Sequence, residues 1–275
     1  MTAAEHWRAQ LEAWSIPEAI LDAAPESPYG FPAELFRRRA AEAGTRAPTP
    51  TTHRALEALP DGGVVLDVGV GGGATSLPLA DRASTIVGVD EQSDMLREFE
   101  TAARSARVGT HPVMGRWPDV ETQTPTADVV VSGHVVYNVA DLASFARALD
   151  RHATLRVVLE LTDRHPLAWM ADLWSRFHGL TRPSGPGAGD VVAVLREAGI
   201  EPIREDRSPR DDERGGGFER RESAVALIRK RLCLPADRDE EIARALGDRL
   251  RAHDGLWSSG PAERTLVTLW WDARR

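Results

Sequence analysis

Cysteine and lysine are almost missing from this chain of 275 residues, where Cys233 and Lys230 are the sole representatives of their types. A lone cysteine excludes an intramolecular disulfide and a cysteine-built zinc site, and it suits a reducing compartment. With lysine so rare, positive charge rests on arginine, which cannot act as a base and favours planar contacts to carboxylates or phosphates. A GC-rich genome produces the same bias, so no function is read from it. No apolar run approaches the roughly 20 residues that span a bilayer. The opening MTAAEHWRAQ also lacks the basic-then-hydrophobic plan of a targeting segment, and the expectation is a cytoplasmic protein without a membrane partner. Net positive charge is lacking too: a formal charge of −8 gives no global attraction to nucleic acid. Repeats and low-complexity tracts are absent.

What is present is an ordinary globular composition, with 42% hydrophobic and 28% charged residues. Trp7, Leu11 and Trp14 follow helical spacing, and Pro17 starts a second run through Ile20 and Leu21. The stretch PESPYGFP, 25–32, interrupts these helices. From Gly63 to Glu160 short β-branched runs alternate with helical segments, the pattern of parallel strands joined by crossover helices. Strands are expected at 63–68, 85–90, about 110–114, 128–132 and 155–161. Beyond them, Leu167, Met170, Trp174 and Phe177 form an apolar helical stripe closed by RPSGPGAG. A helix over Asp190–Ala198 and a strand near 202–207 follow, then a charged loop from Arg207 to Gly217. Val225, Ile228 and Leu232, then Ile242, Leu246 and Leu250, mark two further amphipathic helices, and RTLVTLWW is the last strand.

The central motif is VVLDVGVGGG, Val64 to Gly73. A hydrophobic strand ends near Asp67, and Gly69, Gly71 and Gly73 then make a turn that lets backbone approach a ligand before a helix begins near Ala74. Gly69, Gly71 and Ala74 also satisfy the dinucleotide fingerprint, so an NAD-dependent oxidoreductase is weighed. Asp67 argues against it, because a carboxylate there attracts an ammonium and repels a pyrophosphate. Asp90 ends the second strand in IVGVD, where it can accept from both hydroxyls of a ribose.

Taken in order, LDVGVGGG, VGVDEQSDML, VMGRWPD and ADVVVSGH resemble the class I S-adenosylmethionine (SAM)-dependent methyltransferase family, over roughly Leu56 to Gly199 plus the terminal strand. The resemblance implies an α/β, doubly wound, mostly parallel seven-stranded Rossmann-like sheet with the last strand antiparallel. It implies a helical N-terminal cap over 1–55, a core over 56–275, and insertions near 164–182 and 215–256 gathered over the cofactor edge. It further implies that Asp67, Gly69, Val70 and Gly71 hold the methionine end of SAM, that Asp90 with Glu91 beside it holds the ribose, and that Met95 packs near the adenine. Gly115, Arg116 and Trp117 would border the adenine, where the family often has an acidic residue and Asp119 is the nearby substitute. Ser132 and Gly133 would lie beside the sulfonium, and the spent product would be S-adenosylhomocysteine (SAH).

Methyl transfer from a sulfonium is an in-line displacement that needs alignment and a dry site, with a base only for an acceptor protonated at neutral pH. His134, after the fourth strand, and His165, after the fifth, are the candidate bases, weighed against the commoner structural role of a loop histidine. Tyr137 and Asn138 add a phenol and an amide, and Trp169 and Tyr29 are candidate acceptor contacts. Glu160 and Asp163 join the histidines in no metal-ligand spacing, and no metal is expected. Trp7, Trp14, Tyr29, Phe31 and Phe36 before the core, with Trp169, Trp174, Phe177 and His178 after the fifth strand, suggest a lid over a small organic acceptor; the alternative, favoured for the stripe from Leu167 to Phe177, is that they only pack the cap to the sheet. Competing readings are an RNA or protein methyltransferase using the arginine clusters Arg37–Arg39 and Arg204–Arg221, and a non-catalytic SAM-binding module. The oligomeric state is left open, a homodimer included.

Overall fold

A computed structural model describes residues 1–29, 47–208, 217–261 and 264–274. The expected strands form at β1 (Gly63–Val68), β2 (Ala83–Asp90), β3 (Gly109–Met114), β4 (Ala127–Gly133), β5 (Ala153–Thr162) and β6 (Ile203–Arg207). A hairpin of β7 (Leu250–His253) and β8 (Leu256–Ser259) precedes β9 (Leu266–Asp272). Seven of these make one sheet in the order β3-β2-β1-β4-β5-β9-β6. β9 runs antiparallel to both neighbours, and the remaining pairs are parallel. This is the Rossmann-like methyltransferase arrangement. The strand order reverses between β1 and β4, the place where open α/β sheets bind their ligands beyond the strand ends.

Alternation along the central strands divides the core. Leu66, Val68, Val87, Val89, Val130, Val157 and Leu159 face one layer, with α5 (Leu142–His152) and α7 (Ala188–Glu197) packed on them through Phe145, Leu149, Val191 and Val194. Val65, Ile86, Val129, Val131 and Val158 face the other, covered by α3 (Pro50–Ala58) and α4 (Ser93–Ser105) through Ala55, Leu59, Leu96 and Phe99. Caps set where these helices begin: Thr49 accepts from the Thr52 amide at 3.2 Å, with Pro50 in the first turn, and Asp141 accepts from the Ser144 amide at 3.1 Å.

The N-terminal helices divide their contacts. Trp7 on α1 (Ala3–Glu12) is fully buried and donates through Nε1 to the Val139 carbonyl at 2.7 Å, tying the helix to the sheet body. Ile16, Ile20 and Leu21, on and before α2 (Glu18–Asp22), join a separate apolar cluster. Its centre is Met170, Leu173 and Trp174 with α8 (Arg221–Arg231) and α9 (Asp239–Leu246). The stripe at 167–177 folds as a 3₁₀ turn, Ala168–Met170, leading into α6 (Ala171–His178), which ends at left-handed Gly179 (φ +67°).

Two elements differ from expectation. No α-helix starts near Ala74: the connection from β1 to β2 contains a single 3₁₀ turn, Leu77–Leu79, because Pro78 lacks an amide donor and clashes with the preceding turn. Leu250, placed by its spacing on the last amphipathic helix, begins β7, since left-handed Gly247 ends α9.

Candidate functional site

Asp67 lies inside β1, paired with Gly88 of β2 and Val131 of β4, and is 1% exposed. Neither carboxylate oxygen has a hydrogen-bond partner among the described residues. Burial pushes its pKa up to about 7; Ser76, near without completing a hydrogen bond, pulls the other way, and the charge of Asp90 adds to the rise. An orphaned carboxylate in an apolar wall is costly unless a cation meets it.

The loop beyond it is a backbone cradle. Gly69, Gly71 and Gly73 hold φ of +73°, +50° and +86°. The amides of Gly69 and Val70 both donate to the Val89 carbonyl, at 2.8 and 3.0 Å, fixing the loop to the end of β2. Asp90 completes the link: one carboxylate oxygen accepts from the Gly71 amide and the other from the Gln92 amide, both at 2.9 Å. Each oxygen keeps a lone-pair direction for another donor. A methyl group on Gly69 would sit 2.3 Å from Val135 Cγ2, and one on Gly133 would sit 2.3 Å from Thr75 Oγ1. The turn and the end of β4 therefore touch, and the residues expected at the methionine end are brought together. Ser132 is turned away, donating through its hydroxyl to the Val68 carbonyl at 2.8 Å, so it braces β4 against β1.

The segment expected to border adenine is assembled in part. The Gly115 amide donates to the Asp90 carbonyl at 3.0 Å, and its φ of +152° brings it so close to Val120 that an added methyl would lie 2.1 Å from Cγ1. Met95 is buried in the first turn of α4, while Glu91, Arg116 and Asp119 are exposed. Trp117 departs from its expected place. Its ring is 5% exposed and meets His152, at the far end of α5, edge-on at 4.9 Å. Hydrophobic burial carries the indole into the helical layer rather than to the strand edge.

At the ends of β4 and β5, His134 adopts a left-handed backbone (φ +61°) and its amide donates to the Glu160 carbonyl at 2.7 Å. Its Nε2 lies 3.4 Å from Glu160 Oε1. Thr51 on α3 donates to Glu160 Oε2 at 2.9 Å and shares a 2.8 Å hydrogen bond with Thr268, and Arg207 approaches the same oxygen at 3.5 Å. Burial would raise the Glu160 pKa, but His134, Arg207 and Thr51 outweigh it and hold the carboxyl at about 2. His134 itself is 39% exposed, so this is a solvent-reachable imidazole backed by a permanent anion. Sequence reasoning weighed Glu160 only as a metal ligand and missed Thr51, whose run TPTT reads as a helix start.

His165 occupies a different setting. It stacks on Trp14 (4.0 Å between centroids), lies edge-on to Tyr137 (5.4 Å) and accepts through Nδ1 from the Leu167 amide at 3.2 Å. Burial, aided by the charge of Arg182, lowers its pKa to about 3. An imidazole so hard to protonate is a poor base. The Tyr137 hydroxyl donates to the Thr162 carbonyl at 2.6 Å and accepts from the Thr162 hydroxyl, and burial pushes its pKa up to about 12. Asn138 is exposed, its carbonyl accepting from Arg116 at 3.4 Å. Trp169 is half-buried against Arg249, and Tyr29 is 59% exposed; neither is brought to His134 by any contact among the described residues. Phe31, Phe36 and Arg37–Arg39 lie outside the described residues. Arg204 pairs with Asp163 and Asp206, and Arg221 approaches Glu240. Among the described residues no three His, Cys, Asp or Glu side chains are grouped to hold a metal ion, and no helix is long and apolar enough to cross a membrane.

A sheet of this order with a glycine cradle and two carboxylates at its reversal point defines a class I methyltransferase architecture. Residues 65–154, which span both carboxylates and His134, match the family model described as a methyltransferase domain. Over 185 residues the chain is 27% identical to the ubiquinone biosynthesis O-methyltransferase of Agrobacterium fabrum, covering 61% of this chain and 72% of that one. Among solved structures, a protein assigned as a methyltransferase from Bacillus halodurans C-125 aligns over 82% of this chain and 99% of its own, with a TM-score of 0.53 and 14% identity. The YcgJ protein of Bacillus subtilis aligns over 82% and 98%, with a TM-score of 0.51 and 17% identity, and shares the fold. Residues 65–154 thus match a methyltransferase domain, the fold is that of class I methyltransferases, and the likenesses together support a SAM-dependent methyltransferase.

Proposed function

We propose that the chain methylates a small organic acceptor, best matched by a hydroxyl, with SAM held across the β1 and β2 ends and His134 receiving the acceptor proton. The observation that supports the cofactor placement is the Asp67 carboxylate, without a hydrogen-bond partner among the described residues, beside a glycine loop held at positive φ. Asp67 would meet the methionine ammonium, the loop backbone at Gly69, Val70 and Gly71 its carboxylate end, and the free lone pairs of Asp90 the ribose hydroxyls. SAM supplies a methyl group already activated on a sulfonium, so no covalent enzyme intermediate is required.

The remaining work falls to the chain. Ser132 and Thr75 fix the end of β4 against the loop, setting the approach to the methyl group. His134 takes the proton of the attacking hydroxyl on Nδ1, the ring nitrogen that does not face Glu160, and ionised Glu160, 3.4 Å from Nε2, stabilises the imidazolium that forms. Thr51 and Arg207 hold Glu160 from behind. Neutral His165 packs the wall rather than moving protons, which revises the expectation that it serves as a base. The ubiquinone-pathway relative, an O-methyltransferase, adds support for oxygen as the methylated atom. Incubating the protein with methyl-labelled SAM and fractionated metabolites identifies the acceptor. His134→Gln is expected to lower kcat by about 10²–10⁴-fold with SAH affinity unchanged; label found on protein or RNA, or an unaffected kcat, would refute the reading.

A further inference from the structure

Arg182 lies in the loop after α6 and is 8% exposed, a rare state for a guanidinium. Its Nη1 donates to the carbonyls of Ala13 and Ser15, at 3.3 and 2.9 Å, which ties the loop to the N-terminal segment. Its face lies over Trp174 at 4.3 Å, with Trp14 at 5.8 Å. The other two nitrogens, Nε and Nη2, are buried and have no hydrogen-bond partner among the described residues. Their N–H bonds are parallel and form the side-on fork of the guanidinium, the edge that accepts a carboxylate through two hydrogen bonds. Among the described residues no carboxylate lies within ion-pair distance of Arg182; the titratable groups near it are Cys233, Tyr29 and His165. Burial without an anion also lowers its pKa.

A structural strut explains Nη1 alone. Holding Ala13 and Ser15 requires one nitrogen and no charge, yet the site buries a permanent cation with one whole edge unsatisfied. The edge is also joined to the active face of the sheet. Trp14 stacks on His165, and His165 meets Tyr137 in the loop three residues beyond His134. We propose that the Nε–Nη2 fork of Arg182, walled by Trp14 and Trp174, receives a carboxylate carried by the methyl acceptor, so that the substrate class is a hydroxylated organic acid. This rests on the small-molecule reading of the acceptor site. Selectivity follows from the chemistry: an amide or ester of the same skeleton returns at most one good acceptor to the fork and leaves the cation unneutralised.

The test uses matched pairs of hydroxybenzoic and hydroxyalkanoic acids with their primary amides, titrated by calorimetry into the full chain saturated with SAH. SAH binding alone checks the cofactor reading, and its failure would sink that reading independently. With SAH bound, at least one acid is expected to bind tenfold or more tighter than its amide, and Arg182→Met to abolish the difference. Arg182→Lys keeps the charge and loses the fork, and is expected to retain only part of it. Binding of SAH with no acid preferred over its amide in wild type overturns the proposal without recourse to any variant. So does a preference that survives in Arg182→Met.

Discussion

Replacing Asp67 by asparagine separates the stability of the empty protein from its affinity for the cofactor, and the two should move in opposite directions. A folded-state pKa of about 7 against 3.8 for an ordinary aspartate means that folding favours the protonated form. At about 1.4 kcal/mol per pH unit, the gap of roughly three units amounts to about 4 kcal/mol once both states are ionised. The sign is fixed by proton count: between pH 4 and 7 the folded chain holds a proton that the unfolded chain has released, so stability falls as pH rises through this window and levels off above it. Urea denaturation of cofactor-free wild type should show that loss on top of the titration of other groups, and Asp67→Asn should lack it. The variant should then be the more stable protein at pH 8. Calorimetry at pH 8 should nevertheless show SAH binding weakened by at least about 30-fold, because an ammonium facing an amide loses about 2 kcal/mol or more of a buried charge pair. Near pH 7 wild type should release a fraction of a proton on binding SAH, visible as a buffer-dependent enthalpy absent from the variant. Parallel stability curves for the two proteins, or equal SAH affinity, would refute the assignment of Asp67 as an ammonium receptor.

Gly133→Ala places a methyl 2.3 Å from Thr75 Oγ1. It is expected to weaken SAH binding by tenfold or more, and Gly133→Ala/Thr75→Ala should recover most of the loss; calorimetry reads both. Glu160, held at about 2, contributes stability that is present above its unfolded pKa near 4.5 and lost as pH falls towards 2. Glu160→Gln should flatten that part of an acid-denaturation curve. It should also lower kcat, since the imidazolium formed at His134 loses the anion that faces it.

The sheet and the cradle were legible because their determinants are local. β-branched runs at regular spacing give the strands, and three glycines with an aspartate two residues ahead define the loop within ten residues. Features that depend on distant partners were hidden. Thr51 meets Glu160 across 109 residues, and Arg182 meets Ser15 across 167, so neither contact leaves a pattern in any short window. Local cues also misled where a competing force was stronger. Trp117 follows the motif that suggests an adenine border, yet an indole gains more from the apolar layer beside His152. The glycine loop suggested a following helix, and Pro78 reduced it to one 3₁₀ turn. His134 and His165 look alike as loop histidines after adjacent strands. Only the surroundings, an anion for one and two aromatic rings with a nearby cation for the other, separate the proposed base from the residue proposed to pack the wall.

A crystal structure of the chain with SAH tests the central claim most directly. The account predicts the amino group within hydrogen-bond distance of an Asp67 oxygen and the ribose hydroxyls on Asp90, with the sulfur beside the end of β4. SAH bound elsewhere, or these two carboxylates left without contact to it, would contradict the account.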